Sequence, residues 1–131
     1  MGSVSRGLHV VATTDEGTRR ALVEASRLCN GSKARVLLLV PHEVSYFGPQ
    51  VDATEALAIT DRYRALASTT GVEAIVRLCV CRHLDDVFRW LLGPGAQIVI
   101  GGRQRWWWPT AAERLAWRLR RRGHDVVFAN V

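Results

Sequence analysis

At 131 residues, the chain has room for one compact domain with a real core and little room for a second. Its apolar fraction of 48% and charged fraction of 23% are those of an ordinary globular protein. No apolar run approaches the ~18–20 residues that span a bilayer, and "MGSVSRGLHV" lacks the apolar core of a secretion signal, so the expectation is a soluble cytoplasmic protein. The formal net charge of +6 comes almost wholly from arginine, since Lys33 is the sole lysine. Seven arginines fall between residues 103 and 122 against one acid, Glu113. Such a basic end can meet nucleotide phosphates, nucleic acid or an anionic surface, or can be a solvated helix face.

Short apolar runs alternate with longer periodic ones. "LHVVA" (8–12) reads as a strand, and Ala21, Leu22, Ala25, Leu28 and Cys29 then recur at helical spacing over about 16–29. Thr14 or Asp15 can cap the start of that helix, and "NGS" (30–32) supplies its exit. "ARVLLLV" (34–40) is a second buried strand, stopped by Pro41, and "PHEVSYFGPQ" (41–50) reads as a loop. From Asp52, the series Ala53, Ala56, Leu57, Thr60, Tyr63, Ala67 predicts a helix of about 18 residues ending near "TTG". "VEAIVRLCV" (72–80) alternates as a half-exposed strand does. A short helix from Asp85 to Leu92 is broken by "GPG", and "AQIVIG" (96–101) is the fourth strand. Thr110-x-x-Glu113 is a capping box opening a helix to about Arg121, and "HDVVFANV" (124–131) closes the chain as a strand.

The order β-α-β-α-β-α-β-α-β, with helix-length connections, predicts an α/β fold: a doubly wound five-stranded parallel sheet sandwiched by four helices, in a single domain over 1–131. In open parallel sheets, ligands sit beyond the carboxyl ends of the strands, where strand order reverses. The loops "TTDEGT", "PHEVSYFG" and "GGRQRWWWPT" are therefore the candidate site, with Val40 at the end of the second strand. Gly101 and Gly102 would let backbone approach a phosphate, Arg103 could pair with it, and Thr110 could offer a hydroxyl at a helix N-terminus.

Other residue types point away from catalysis. Cys79 and Cys81 lie two apart on one strand, with Cα atoms about 6.5–7 Å apart, at the edge of bridging geometry. They read as small buried hydrophobes rather than a zinc pair. His9, His42, His83 and His124 are scattered, with His9 expected as a satisfied core histidine, and no nucleophile signature occurs. Asp85 and Asp86 read as acids on a helix dipole. The expectation is no enzyme.

The chain resembles the universal stress protein family. The resemblance rests on "VVATTDEGTRRALVEASRL", a variant of the family's opening strand and helix, and on "AQIVIGGR" followed by "TAAERLAWRL", a variant of its closing half. It implies a nucleotide-binding stress-response fold of the adenine-nucleotide hydrolase-like type, dimeric through the last strand, here "DVVFANV". It also implies an ATP site made of an aspartate after strand one and a glycine-rich signature after strand four: Gly-x-x-Gly, about nine residues, then Gly-Ser/Thr. Thr13 stands at the aspartate position, with Asp15 two residues on. Gly101 and Arg103 match the signature's opening and Thr110 its end, whereas Gln104 and Pro109 replace glycines. The segment between is short and filled by Trp106, Trp107 and Trp108 beside Arg105.

ATP is therefore possible on an incomplete signature, and the expected function is a non-enzymatic binding or signalling domain with an altered or lost ATP site. The indoles can form a stacking platform for a base with Arg103 and Arg105, a contact patch for a protein partner, or a folded-in loop that plugs the cleft or packs on the last helix beside Trp117. The alternatives are an arginine- and tryptophan-mediated nucleic-acid module, ranked behind because no nucleic-acid motif is present, an ATP-binding stress protein with a variant loop, and a small-molecule hydrolase on the same fold.

Overall fold

The structure is a computed structural model that describes residues 8–29, 35–45, 48, 50–93, 95–103 and 109–131. Strands β1 (Leu8–Val11), β2 (Val36–Glu43), β3 (Ala74–Cys81), β4 (Gln97–Gly102) and β5 (Asp125–Asn130) alternate with helices α1 (Asp15–Cys29), α2 (Ala53–Thr69), α3 (Leu84–Leu91) and α4 (Ala111–Arg121). All strands are parallel, in the order β3-β2-β1-β4-β5. Strand order reverses between β1 and β4, as the doubly wound reading requires.

Period-two alternation splits the strands between two apolar layers. Val10, Leu38 and Val99 meet Ala21, Leu22 and Ala25 of α1, with Tyr63 and Ala67 of α2 beside them. Val11, Leu39, Ile98 and Ile100 meet Phe88 of α3 and Leu115 and Leu119 of α4 on the other face. Burying each of these large side chains contributes roughly 1.5–3 kcal/mol.

Three elements depart from the sequence-based expectation. Pro41 does not stop β2, which runs on to Glu43 paired with β3. The N–H of Ala12 donates to the Leu39 carbonyl at 2.8 Å, so odd positions of β2 face β1. Pro41 faces the same side, past the last β1 pairing at Leu39, and its missing N–H therefore costs no ladder bond. In α2 the buried stripe is rotated: Leu66 and Ala67 are buried, whereas Leu57 lies on the solvent side. Leu28 of α1 is likewise exposed. The "NGS" exit at 30–32 lies outside the described residues.

The remaining boundaries agree with expectation to within two residues. Asp52 caps α2, accepting from the Glu55 amide at 2.7 Å. β3 shows the alternation read from its sequence, with Cys79 buried and Cys81 half-buried on one side. Both thiols are free, and burial pushes both up from their ordinary pKa. They are thereby held protonated and poorly nucleophilic.

Candidate functional site

The carboxyl ends of β1 and β4 open onto a cleft of about 1230 Å³. The structure brings Thr13, Asp15, Gly101, Gly102, Arg103 and Thr110 together on its walls. Val40 is not among them; it is buried under α1 and α2. Pro41 and Glu43 stand in the wall instead, carried there by the extra length of β2. Trp106, Trp107, Trp108, Arg105 and Gln104 lie outside the described residues.

At the α1 end, the polar groups are engaged with one another. Thr14 is the helix cap, accepting from the Gly17 amide at 3.0 Å. The Thr13 amide donates to the buried Thr18 hydroxyl at 2.9 Å, and the Thr13 hydroxyl donates to the Gly101 carbonyl at 2.7 Å. Thr13 thus stitches the exit of β1 to that of β4, its single hydroxyl proton spent in doing so. Asp15 and Glu16 occupy the first turn, where the helix dipole favours negative charge. Asp15 takes both its oxygens to Arg62 of α2, at 2.7 and 2.9 Å. Arg103 faces Glu16 at 3.8 Å.

The two glycines at the end of β4 are small for a packing reason. A Cβ on Gly101 would run into the carbonyl oxygen of Gly17, and one on Gly17 into the Gly101 carbonyl and the Thr13 hydroxyl. A Cβ on Gly102 would lie 2.7 Å from the Ala112 Cβ and 3.4 Å from the Phe128 ring. These contacts seat α1 and α4 directly on the strand end, and the glycine backbone still borders the cleft.

At the α4 end, the predicted capping box is complete. The Thr110 hydroxyl accepts from the Glu113 amide at 3.2 Å, and Glu113 Oε1 accepts from the Thr110 amide at 3.1 Å. The Thr110 hydroxyl donates to the Arg103 carbonyl at 3.0 Å, closing the ends of the loop onto each other. The helix start that would receive a phosphate therefore already holds a carboxylate, with the Ala111 and Ala112 amides left without intrahelical acceptors. The capping box was legible in the sequence; that the helix start it caps would border the cleft follows only once α4 is seen beside β4.

The opposite end of the sheet brings together two histidines that the sequence left apart. The Ala96 amide donates to His124 Nδ1 at 3.2 Å, which fixes that ring as a neutral acceptor. Burial holds the His124 pKa below its ordinary value, helped by Arg122 and by His9. His9 is half-buried, lowered by burial against a smaller opposing effect from the Gln97 backbone. Its Nδ1 has no hydrogen-bond partner, so the satisfied core histidine expected there is not what the fold provides. Among the described residues, no three His, Cys, Asp or Glu side chains gather as a metal-binding group. No described helix is long and apolar enough to cross a membrane.

No family model and no curated protein sequence matches the chain. Solved structures do. A protein from the universal stress protein family of Burkholderia pseudomallei superposes with a TM-score of 0.60 at 20% identity, covering 100% of both chains. A universal stress protein from Archaeoglobus fulgidus gives a TM-score of 0.66 at 18% identity, over 93% of this chain and 92% of that one. A universal stress protein in complex with cAMP gives 0.57 at 19% identity, over 95% and 97%. The five-stranded parallel sheet and its four helices are thus the universal stress protein fold, the one that the two halves of the sequence resemble.

Proposed function

We propose that the chain is a non-catalytic binding domain of the universal stress protein type, whose cleft over β1 and β4 is a nucleotide site altered so that ATP has lost its phosphate seat. The observation that carries this reading is the Thr110–Glu113 capping box, which ties a carboxylate to the start of the helix whose first residues, Thr110, Ala111 and Ala112, line the cleft. A triphosphate brought there comes near the Glu113 carboxylate of the cap, with Asp15, Glu16 and Glu43 in the cleft wall, and has Arg19, Arg118 and the Ala111 and Ala112 amides to set against them. Arg103 is shared with Glu16, and Thr13 stands where the ATP-binding pattern has an aspartate. The cleft itself is open and large enough for a nucleoside, and a structure of the same fold holds cAMP, with one phosphate rather than three. A ligand carrying a base and at most one phosphate suits these walls better than ATP does.

The non-catalytic part of the reading draws on the same groups. The carboxylates at the cleft are engaged in ion pairs or caps, and the thiols of β3 are held protonated. Isothermal titration of the protein with MgATP and with AMP tests the proposal. The expected result is ATP binding weaker than about 0.1 mM, with AMP equal or tighter. Low-micromolar MgATP binding overturns it, as does steady ATP turnover by the purified protein.

A further inference from the structure

A different surface, independent of the cleft reading, carries a second site. With about 100° between successive residues of a helix, Arg114, Trp117, Arg118 and Arg121 share one face of α4, opposite the buried Ala112, Leu115, Ala116 and Leu119. Trp117 stands midway along the helix at one edge of this face, 49% exposed. An indole buries 150–250 Å² when it packs, so leaving half of it in water forfeits much of the reason for having one. Three arginines lie beside it.

Charge on this face is not balanced. Among the described residues, Arg114 and Arg121 have no carboxylate within 4.0 Å, while Arg118 and Arg122 share Asp85 at 3.6 and 3.7 Å. Glu113, the acid of α4, is turned to the helix start. On the other side of the sheet Arg27 pairs with Glu24, Arg62 with Asp15 and Arg64 with Asp61, while Arg19 and Arg20 of α1 have no carboxylate within 4.0 Å among the described residues. α4 and its C-cap carry five arginines, Arg114, Arg118, Arg120, Arg121 and Arg122, against one acid, Glu113.

We propose that this face of α4 docks single-stranded nucleic acid, with Trp117 as a stacking platform for a base and Arg114, Arg118 and Arg121 on the phosphates. Positive charge on both surfaces opposes a second copy of the same face. An anionic membrane would need a broad apolar stripe to insert, but the apolar stripe of α4 is consumed by the core and leaves Trp117 alone outside. A single strand needs what the face has: guanidinium groups spaced along about 10 Å of helix and a flat ring for an unstacked base. Arg118 also borders the cleft, so the face and the cleft are continuous.

Fluorescence anisotropy with a labelled oligothymidylate of about twenty nucleotides, titrated over a range of salt, tests the proposal. The affinity is expected to fall with salt at a log–log slope of about −2, three phosphates at about −0.7 each. Trp117→Ala should weaken binding about tenfold, and Trp117→Phe should recover part of the loss. The double variant Arg114→Gln/Arg121→Gln should bring the slope to about −0.7. All these side chains are exposed, so the thermal midpoints should stay near that of the parent, and the arginine variant carries the test if Trp117→Ala does not fold. Three results overturn the proposal: no binding at low salt, binding unaltered in affinity and slope by every variant, or binding to phosphatidylglycerol vesicles without binding to the oligonucleotide.

Discussion

Gly101 illustrates how one residue can be read correctly as special and still be special for another reason. A glycine pair after an apolar run suggests a phosphate loop, because bare backbone admits a ligand. In the fold, the bare side of Gly101 is filled by Gly17, which no sequence spacing announces because 84 positions separate them. Gly101→Ala should destabilise the protein by about 2–3 kcal/mol, since backbone has to give way on one side or the other. Chemical denaturation measures this, and a loss within 0.5 kcal/mol, the range of ordinary surface changes, would contradict the close seat of α1 on β4. Thr110→Ala should cost about 1 kcal/mol through the lost cap and release the Arg103 carbonyl that now accepts from the Thr110 hydroxyl.

Among the elements, their order along the chain and the doubly wound parallel sheet were legible because apolar runs and helical periods are long-range averages that tolerate local error. β2 was misread at its end because Pro41 was judged without its neighbours; whether a missing N–H matters depends on which strand lies opposite, and that is topology. The stripe of α2 was misread because alanine, threonine and tyrosine give weak contrast between faces. The start of β1 and the approach to β5 carry a pH dependence that the scattered histidines did not reveal. His9 and His124 have pKa values in the fold below the ordinary 6.5. The unfolded chain therefore binds protons more readily than the fold as pH falls. Their contribution to stability is full above about 6.5 and is lost as pH falls through 6.5 towards the lowered values. Thermal melts should show stability dropping between about pH 7 and pH 5. His124→Gln, whose amide oxygen can still accept from Ala96, should flatten part of that drop; an unchanged profile would contradict the assignment.

For the whole molecule, the sheet leaves β5 paired on one side, by β4. An edge of six residues with buried Val126 and Ala129 and half-buried Val127 and Phe128 invites pairing with a second copy. Light scattering at micromolar protein should give twice the chain mass of 14.6 kDa, and a monomer would contradict a β5 dimer. The candidate site was legible in outline, since Thr13, Asp15, Gly101, Gly102, Arg103 and Thr110 do meet at one cleft. Its electrostatics were not, because they depend on which acids from separate loops converge there. The central claim, that Glu113 bars a polyphosphate, is tested most directly by titrating MgATP into the parent protein and Glu113→Gln side by side. Glutamine keeps the capping hydrogen bonds and removes the charge. ATP affinity is expected to rise about three- to tenfold, or about 0.7–1.4 kcal/mol, with the thermal midpoint little changed; equal affinities in the two proteins would contradict the account.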